Sequence, residues 1–511
     1  MNKHFYLTTP IYYVNGAPHI GHAYTSIAAD VLARWKRLDG YEVFFLTGTD
    51  EHGQKVEKAA AEAGLDPQRF TDQVAADFRD MAARMNISND DFIRTTEPRH
   101  KRACAELWRR LEAHGAIYLG HYEGWYAVRD EAFYNQGELT LGADGIRRAP
   151  SGAPVEWVRE PSYFFRLSSW QDKLLEFHEK NPDFIAPAAR RNEVLSFIRS
   201  GLEDLSISRA SFTWGVPVPG DPAHVMYVWL DALTNYITAA GFPDEADPRW
   251  GFWPADLHIV GKEIVRFHAV YWPAFLMAAG LAPPRRIYSH GWWTVEGEKM
   301  SKSLGNVIDP RELVATFGRD ALRYFLLREV PFGNDGDFSR KALITRLNGE
   351  LANDLGNLAQ RTLSLVARQC AGVRPARGAS IAPDQALRDA AAALPALVRG
   401  ALEKLAFHEA LEEVWRVVRA ANAYIDHQAP WALARTDRAR MASVLRVLLD
   451  AIRGVATVLQ PFMPESMARM LDQLGVPADA RGLAALDQDL PAGAALPPPE
   501  GIFPRFDALS R

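Results

Sequence analysis

The hydrophobic pattern changes several times along the chain, and each change predicts a different kind of structure. Residues 4–9 are apolar, aromatic and Thr-rich and predict a β-strand. From Ile20 to Trp35, apolar residues recur every three or four positions, which predicts an amphipathic helix that ends near Gly40. Residues 43–47 are continuously apolar and predict a second strand. A strand, a helix and a strand in this order are typical of a parallel, doubly wound α/β sheet.

The middle of the chain interrupts this pattern and then returns to it. Residues 117–165 are rich in aromatics, Gly and Pro with short alternating runs, and they predict a small β insertion. Apolar stretches at residues 257–260 and 286–289 predict two further strands. We therefore expect the α/β sheet to be built from segments on both sides of the insertion.

After about residue 340 the strand patterns stop, and the helical period continues to about Leu474. A connector rich in Ala, Arg, Gly and Pro at residues 371–383 divides this region, and residues 477–499 predict a surface tail without regular structure. One predicted helical stripe consists of Leu402, Leu405, Leu411, Val414, Val418 and Ala421, and another of Leu445, Leu448, Ile452, Val455 and Leu459. The pattern predicts an all-α helix bundle.

Composition excludes several classes of protein. The 511 residues, 48% hydrophobic and 24% charged, are globular in composition. The net charge of −5 argues against a chain that coats nucleic acid indiscriminately, although one domain can still carry a basic face. The two cysteines, Cys104 and Cys370, cannot form a four-thiolate metal site. Because we find neither a signal-peptide core nor an apolar run near the roughly 18 residues of a membrane helix, we expect a cytoplasmic protein with no membrane partner.

Two histidines flank a glycine where the first predicted helix begins, in the segment His19-Ile20-Gly21-His22. A helix N-terminus offers unsatisfied backbone N–H groups and the positive end of the helix dipole, which attract phosphate. The imidazoles add side-chain donors, and Gly21 lets a flat nucleobase approach the backbone. The alternative is a pair of ordinary surface histidines.

A second segment, Lys-Met-Ser-Lys-Ser, places Lys299 and Lys302 three residues apart beside Gly297 and Gly305. Ammonium groups on such a loop can close over a triphosphate and neutralise the charge that develops in phosphoryl chemistry. Alone, the segment is typical of a solvated basic loop. Its pairing with the two histidines favours a nucleotide site.

Together, the two segments resemble the signatures of class I aminoacyl-tRNA synthetases, and the residues from Thr8 to about Pro461 resemble the methionyl-tRNA synthetase family. The resemblance implies that methionine is activated with ATP to methionyl-adenylate and then transferred to the 3′-terminal ribose of tRNA(Met). It also implies a Rossmann-like catalytic domain at residues 1–115 and 166–295, a small β insertion at 116–165, a mobile lysine loop and stem-contact region at 296–345, an anticodon-binding helix bundle at 346–475 and a C-terminal tail at 476–511.

The family pattern assigns the nucleotide chemistry to particular residues. It implies that His19 and His22 hold the ATP phosphates and that Lys302, helped by Lys299, stabilises the departing pyrophosphate. Arg209 matches an arginine of the active-site region. The residues that border ATP are Gly21, Gly261, Glu263, Ile264 and Lys302. Mg²⁺ is expected to accompany ATP, bridged by phosphates and water.

The same resemblance assigns a methionine pocket. Asp50 meets the ammonium group, and the pocket is formed by Ile11, Tyr13, Trp229, Leu233, Tyr236 and His290. Because a thioether is only a weak hydrogen-bond acceptor, its selection depends on shape, polarizability and aromatic contact.

In the predicted bundle, Asn357 and Arg361 share one helix face, and with Trp431 they match the family's anticodon-binding residues. Loop bases of RNA are read by aromatic stacking and by hydrogen bonds to base edges. A group of arginines could contact the RNA backbone, although we expect most of its members on a solvated helix face: Arg435, Arg438, Arg440, Arg446 and Arg453.

The predicted insertion departs from the many relatives that hold zinc there through cysteines. Ala127 and Asp130 stand where thiolates would be, and residues 141–155 contain neither Cys nor His. We expect no zinc and no other protein-bound metal. The insertion is instead expected to be held by aromatic packing of Tyr122, Trp125, Tyr126, Phe133 and Tyr134.

Other functions fit less well. Synthetases for leucine, isoleucine and valine need a large editing domain between the two signatures, and a cysteine-specific relative needs zinc-binding cysteines in its pocket. A nucleotidyltransferase of the same superfamily would not need the bundle, and an inactive tRNA-binding scaffold predicts decay of one signature, whereas both histidines and both lysines are present. We expect a monomer, because the sequence stops after the bundle without the C-terminal tRNA-binding domain that dimeric relatives often carry.

Overall fold

The computed structural model describes residues 3–14, 16–130, 132–300 and 306–507. Within these residues the strands are β1 His4–Thr8, β2 Tyr12–Tyr13, β3 Glu42–Asp50, β4 Asp91–Arg94, β5 Ile117–Ala127, β6 Ala132–Tyr134, β7 Thr140–Leu141, β8 Arg147–Arg148, β9 Glu156–Phe165, β10 Ile185–Ala186, β11 Leu205–Ser206, β12 Ser208–Arg209, β13 Pro217–Val218, β14 Asp221–Met226, β15 Leu257–Gly261, β16 Ile287–His290, β17 Trp293–Val295, β18 Glu298–Lys299 and β19 Gly336–Phe338.

The helices of the same described residues are α1 Ile20–Leu38, α2 Gln54–Glu62, α3 Pro67–Arg84, α4 Pro98–Ala113, α5 Gln171–Lys180, α6 Ala188–Arg199, α7 Val228–Leu233, α8 Asn235–Ala239, α9 Trp272–Ala278, α10 Pro310–Phe317, α11 Arg319–Arg328, α12 Arg340–Arg346, α13 Asn357–Gln369, α14 Ala382–Glu403, α15 Phe407–Gln428, α16 Pro430–Thr436, α17 Arg438–Leu459 and α18 Pro464–Gln473. Phe267–Tyr271 and Leu347–Gly356 form π-helical turns. No helix of the described chain is long and apolar enough to span a membrane.

The central sheet is parallel and has β1 at its middle. In the described part of the chain, its strand order is β10–β16–β15–β1–β3, and both β2 and β4 pair with β3. On one side β1 aligns Phe5 with Val43, and on the other it aligns Thr8 with His258. The chain therefore winds away from β1 in both directions, which confirms the predicted doubly wound fold. The carboxyl ends of neighbouring strands separate at such a switch point and leave room for a ligand.

The predicted β insertion is confirmed. Strands β5 and β9 pair in antiparallel register from Ile117 opposite Phe165 to Tyr126 opposite Glu156, and β6 pairs with the far end of β5. Among the described strands, this ladder is the centre of a four-stranded sheet in the order β11–β9–β5–β6, and the two outer strands are short, so the long central ribbon needs packing to be stable. The packing comes from aromatic pairs across the ribbon, such as Tyr118 against Phe164 at 5.5 Å between ring centroids.

The chain divides into two compact units. The sheet unit consists of Met1–Ala29, Glu42–Ala83 and Ile87–His290. The bundle unit consists of Asp30–Tyr41, Arg84–Asn86 and Gly291–Arg511.

The helical region beyond residue 340 is confirmed, with one correction. The predicted stripe from Leu402 to Ala421 does not lie on one helix, because α14 ends at Glu403 and α15 begins at Phe407. Between them Leu405 has a φ of 55°, a left-handed conformation that ends the first helix. Both helices bury their apolar faces in the bundle, so the apolar spacing continues across the turn.

The C-terminal tail is mostly irregular, as predicted, but it covers arginines that were expected in solvent. Arg446 is 1% exposed, and its guanidinium donates to the Pro375 and Leu490 carbonyls and contacts Asp489. Arg453 donates to carbonyls of residues 480, 485 and 488. The prediction of a solvated face is therefore wrong for these two arginines, because main-chain carbonyls of the tail bind them.

Candidate active site

The two histidines lie at the start of α1, which follows β1 and β2 in the chain. Their rings are 3.8 Å apart between centroids. The backbone N–H of His19 donates to His22 Nδ1, and that of Gly21 donates to His19 Nδ1, both at 3.1 Å. Since each Nδ1 accepts a hydrogen bond, the neutral form of each ring carries its proton on Nε2. The local backbone therefore sets the direction in which both imidazoles donate.

Gly21 leaves room for the His19 ring in this arrangement. A Cβ atom at this position would lie 2.9 Å from Cε1 of His19, closer than such atoms approach. Burial lowers the pKa of His22 well below its usual value, and the neighbouring His19 lowers it further. His22 is therefore held as a neutral hydrogen-bond donor at physiological pH.

The carboxyl ends of β15 and β16 lie side by side, with Gly261 aligned to His290. A Cβ on Gly261 would come within 2.5 Å of a Glu263 carboxylate oxygen, so the glycine makes room for that side chain. Ile264 packs against the core of the sheet unit, one residue beyond Glu263. The structure thus gathers the three residues predicted for adenosine at one edge of the sheet.

His290 is predicted for the methionine pocket, and its described contacts are with α1. Its Nε2 lies 2.8 Å from Thr25 Oγ1, and its ring packs edge-on against Tyr24 at 5.4 Å. These contacts place His290 beside the helix that carries the histidine pair. Its assignment to methionine stays a prediction.

Several predicted methionine residues form an aromatic cluster. Tyr13 meets Trp229 edge-on at 6.5 Å between ring centroids. Leu233 follows on the same helix, α7, and is 1% exposed, as is Tyr236 on α8. Ile11 packs against the same core. Aromatic faces and apolar walls of this kind suit a polarizable thioether.

Sequence reasoning missed two members of this cluster, Phe267 and His268. The Phe267 ring stacks on Trp229 at 3.7 Å with 7° between the ring planes. His268 Nε2 lies 2.7 Å from the hydroxyl of Tyr236. Both lie in the π-helical turn Phe267–Tyr271, which places side chains out of the ordinary helical period. In the sequence, the only sign that these two residues belong to the cluster is their position shortly after the predicted adenosine residues.

The proton on His268 can be assigned from its contacts. Its Nδ1 lies 2.9 Å from the Ile264 carbonyl, which can only accept, so Nδ1 carries the proton. Burial lowers the pKa of His268 to about 4, although the Ile264 hydrogen bond opposes this shift. Neutral Nε2 therefore accepts, and the Tyr236 hydroxyl donates to it. Toward any other group, the hydroxyl oxygen of Tyr236 can therefore only accept a hydrogen bond.

Asp50 ends β3, and β2 aligns it directly with Tyr13. The following residue, Glu51, is fully buried and accepts two hydrogen bonds from Arg94, at 2.6 and 2.9 Å. Its carbonyl accepts a 2.6 Å hydrogen bond from Trp214 Nε1. The segment that carries Asp50 is therefore fixed from two sides.

Arg209 lies within the sheet unit in an aromatic cage. Its side chain is 2% exposed, and the guanidinium lies 4.2 Å from the Phe133 ring and 4.7 Å from the Tyr227 ring. Its Nη1 donates to Ser206 Oγ at 2.9 Å. The arginine therefore joins the β insertion to the residue that precedes α7. Its predicted catalytic role stays a prediction.

The lysine segment is only partly described. Lys299 ends β18, which pairs with β17 so that Lys299 aligns with Thr294. The turn between these strands has Glu296 and Gly297 at positive φ, and Asp337 accepts the Gly297 N–H at 2.8 Å. Residues 301–305, which include Lys302, lie outside the described residues.

The structure brings two of the three predicted anticodon residues together. The Arg361 guanidinium lies 5.4 Å from the Trp431 ring centroid and binds Asp426 at 2.6 Å. Trp431 is 46% exposed although it is a large apolar residue. Asn357 begins α13, one helical turn before Arg361, and is exposed. A tethered guanidinium beside an exposed indole forms a surface on which a base can stack.

At the end of the β insertion, a small apolar core includes Ala127, one of the two residues that stand where relatives carry thiolates. Ala127, Ala149 and Ala153 form a small buried core, against which Tyr134 packs. Asp130 accepts a 3.0 Å hydrogen bond from the Tyr134 hydroxyl and contacts Ser151. The predicted aromatic packing is present, with Tyr122 against Phe133 at 3.7 Å, Tyr126 against Phe133 at 4.8 Å and Trp125 against Trp157 at 5.2 Å. Ala127 offers no ligand atom, and the Asp130 carboxylate already accepts hydrogen bonds from Tyr134 and Ser151, so the two residues do not fit a zinc ion.

Comparison with known proteins agrees with this geometry. The family model described as "tRNA synthetases class I (M)" matches residues 5–363. A second model, "Anticodon binding domain of methionyl tRNA ligase", matches residues 374–510. The parallel sheet with a histidine pair at its switch point is thus that of a class I aminoacyl-tRNA synthetase.

The similarity extends over the whole chain. A methionine–tRNA ligase of Mesorhizobium japonicum is 56% identical, over 98% of this chain and 98% of the relative, and one of Rickettsia felis is 56% identical over 99% of each. The structure of Mycobacterium tuberculosis methionyl-tRNA synthetase in complex with methionyl-adenylate has a TM-score of 0.97 at 53% identity, covering 98% of this chain and 100% of that one. The chain belongs to the methionyl-tRNA synthetase family.

Proposed function

We propose that this chain, as an ATP-dependent methionine–tRNA ligase, activates methionine at the carboxyl edge of its central sheet. A methionine carboxylate oxygen attacks the α-phosphorus of ATP, the bond to the β-phosphate breaks, and pyrophosphate leaves. The observation that supports this proposal is the histidine pair, whose Nδ1 atoms both accept backbone N–H groups. The Nε2–H groups of His19 and His22 then donate to phosphate oxygens as charge develops on them.

The nucleotide is proposed to lie between the start of α1 and the ends of β15 and β16. Gly21, Gly261, Glu263 and Ile264 border the adenosine. Lys302, helped by Lys299, neutralises the departing pyrophosphate. Mg²⁺ is proposed to arrive with ATP, held by phosphate and water oxygens, because the histidine pair offers only nitrogen donors and Mg²⁺ prefers oxygen.

Methionine is proposed to lie across the aromatic cluster. The carboxylate of Asp50 pairs with the ammonium group, and Trp229 contacts the thioether side chain. Further walls come from Ile11, Tyr13, Leu233, Tyr236 and His290. Because Tyr236 donates its proton to His268, its hydroxyl oxygen is an acceptor and cannot also donate to the sulfur. Selection of methionine therefore rests on shape and polarizability, with His268 fixing the direction of the Tyr236 hydroxyl.

In the second step, the 3′-terminal ribose hydroxyl of tRNA(Met) attacks the carbonyl carbon of the adenylate and releases AMP. The helix bundle of residues 346–475 is proposed to bind the anticodon through Asn357, Arg361 and Trp431, which is supported by the exposed Trp431 ring beside the tethered Arg361. The other proposed domain bounds are those predicted from the sequence, and a cytoplasmic monomer is part of the proposal.

The experiment that tests the proposal compares Lys302→Ala with a control, Lys341→Ala, which changes an exposed lysine on α12. The measurement is methionine-dependent exchange of pyrophosphate into ATP. We expect Lys302→Ala to slow exchange by about 100-fold or more, as expected when one charge-stabilising donor is lost, with methionine affinity nearly unchanged. Equal exchange in the variant and the parent would contradict the role of Lys302, and no exchange in the parent would contradict the function.

A further inference from the structure

A fully buried polar cluster lies beside the aromatic pocket and has no part in the chemistry above. The carboxylate of Asp231, on α7, accepts two hydrogen bonds of 2.7 Å: His52 Nδ1 lies at Oδ2, and His100 Nε2 lies at Oδ1. The side chains of Asp231 and His100 are 0% exposed and that of His52 is 2% exposed. Three residues from distant parts of the sequence therefore meet at one carboxylate.

The charge of this cluster follows from its contacts. Burial alone raises the pKa of Asp231, but His52 and His100 outweigh it and hold the pKa far below its usual value. The carboxylate is therefore ionised and can only accept, so both imidazoles donate to it. Hydrogen bonds to a buried charge are shorter and stronger than those between neutral groups. The cluster is a strong tie between the elements that carry its members.

Those elements also carry the proposed methionine-binding groups. His52 is two residues beyond Asp50, and Asp231 lies on α7 between Trp229 and Leu233. Helix α7 has six residues and no side-chain cap at its start. A helix this short is not stable by itself and depends on tertiary contacts for its position. The Asp231–His52 hydrogen bond supplies such a contact between α7 and the end of β3.

His100 adds a second anchor from α4. Its Nε2 fixes the other oxygen of Asp231, and its Nδ1 lies 3.3 Å from Thr238 Oγ1 on α8. The same imidazole thus contacts both short helices of the pocket, α7 with Trp229 and α8 with Tyr236. Rotation of α7 about its axis would break one of the two hydrogen bonds to Asp231.

We propose that Asp231 is a positioning residue for methionine binding, and that through His52 and His100 it fixes Trp229 and Leu233 relative to Asp50. Asp231 itself does not touch the substrate. This inference rests on the proposed methionine site. It predicts that loss of the cluster weakens methionine binding selectively, because the groups that bind ATP lie on other elements.

A metal site is the competing explanation for the same residues. Ligand atoms of His100, Cys104 and Asp231 all lie within 4.8 Å of one another. However, two ligands on one tetrahedral zinc ion are about 3.3 Å apart, since each bond is about 2.0 Å long. The 2.7 Å from His100 Nε2 to Asp231 is a hydrogen-bond distance. Burial, aided by the charge of Asp231, also raises the pKa of the Cys104 thiol well above its usual value, which disfavours the thiolate that zinc requires.

The test measures KM for methionine, KM for ATP and kcat by pyrophosphate exchange in the full-length protein. Asp231→Asn keeps the side-chain shape but removes the charge. His52→Leu and His100→Leu remove one donor each. His52→Asn and His100→Gln keep an amide N–H near the position of the lost Nδ1–H or Nε2–H. Asp384→Asn is the matched control, since Asp384 is a buried aspartate of the bundle unit that pairs with Arg440.

We expect Asp231→Asn and the two leucine variants to raise KM for methionine about 10-fold or more, while KM for ATP changes by less than about twofold. The amide variants should recover most of the methionine affinity. Asp384→Asn should lower the melting temperature and leave both KM values unchanged. If Asp231→Asn does not fold, comparison of each leucine variant with its amide counterpart decides the question.

Three results would overturn the inference. Wild-type methionine KM in the leucine variants would show that the cluster does not position the pocket. Equal increases in both KM values would indicate general damage. One stoichiometric zinc in the purified parent, lost in Cys104→Ser, would replace the hydrogen-bonded cluster with a metal site. If the parent itself shows no methionine-dependent exchange, the proposed function fails instead.

Discussion

The proposed methionine pocket in the sheet unit and the tail in the bundle unit satisfy their buried polar groups with different side chains. Around the pocket, imidazoles make these hydrogen bonds. His268 donates to a carbonyl and accepts from Tyr236, and His258 Nδ1 lies 2.9 Å from Thr8 Oγ1. Near the tail, guanidinium groups make them: Arg446 and Arg374 donate to main-chain carbonyls. A neutral imidazole both donates and accepts, so it fixes the direction of its neighbour's proton. A guanidinium only donates, so it anchors chain segments.

The imidazoles and the guanidinium groups therefore have different roles, one in substrate binding and the other in holding the tail. The imidazole network surrounds the residues that we assign to ATP and methionine, and the arginines hold the irregular tail to the bundle. We therefore expect substitution of the histidines around the pocket to change activity more than stability, and substitution of the arginines that bind the tail to change stability more than activity.

The largest expected effect is that of His22→Ala. It removes a donor whose direction is set by the His19 backbone, so we expect kcat for pyrophosphate exchange to fall about 100- to 1,000-fold. The melting temperature should change little, since the His22 side chain is only partly buried. The control is His427→Ala, an exposed histidine on α15. Normal exchange by His22→Ala would show that the histidine pair is not the phosphate site.

Arg446→Met is the opposite case. It leaves the Pro375 and Leu490 carbonyls without a buried donor, and we expect a loss of about 2–4 kcal/mol in the free energy of unfolding. Exchange activity at low temperature should be that of the parent. Arg435→Met is the matched control because Arg435 is exposed on α16. Urea unfolding gives the free energies, and an unchanged value for Arg446→Met would refute the anchoring role.

These two residues also show what sequence could and could not predict. The spacing of apolar residues after His22 predicts a helix that begins at the histidine pair. This prediction is possible because a helical period is visible in the local sequence alone. Arg446 follows an equally clear helical period, yet it is buried because a tail without any period packs its carbonyls against it. Local pattern predicts a helix but not what covers its surface.

The same limit applies to the pocket. His52, His100 and Asp231 meet only in the folded sheet unit, and nothing in the sequence around any one of them indicates the other two. His268 was missed because a π-helical turn changes the period locally. By contrast, the central sheet was predictable because its first strand, helix and second strand are consecutive.

Trp431→Ala sharpens the comparison within the bundle unit. Loss of a stacking surface worth about 1–3 kcal/mol should lower kcat/KM for tRNA charging about 10- to 100-fold. Adenylate synthesis should be unaffected. Leu397→Ala, which truncates another exposed apolar side chain of the bundle, is the control. Loss of exchange together with charging would mean that Trp431 has a structural role instead.

The smallest expected effect is a loss of stability at acid pH. Burial lowers the pKa of His268 and of His178 to about 4, below the usual 6.5. As the pH falls, these two histidines therefore become protonated in the unfolded chain at a higher pH than in the folded chain. Their contribution to stability is complete above pH 6.5 and is lost as the pH falls toward 4. In the bundle unit, burial raises the pKa of Asp384, but hydrogen bonds from Arg440 and Tyr424 outweigh it and lower the pKa to about 2. This contribution is lost only below about pH 4.

We therefore expect the sheet unit to lose protection before the bundle unit as the pH falls from 6.5 to 4. Hydrogen exchange followed by mass spectrometry, corrected for intrinsic rates, reports each unit separately. Simultaneous loss of protection in both units above pH 4 would contradict the difference between imidazole and guanidinium networks.

The central claim is that the sheet edge activates methionine and no other amino acid. The most direct measurement is ATP–pyrophosphate exchange by the parent protein with each of the twenty amino acids and with norleucine. The account predicts strong exchange with methionine, weaker exchange with norleucine, which lacks the polarizable sulfur, and background for the rest. Exchange driven best by leucine or another amino acid, or by none, would contradict it.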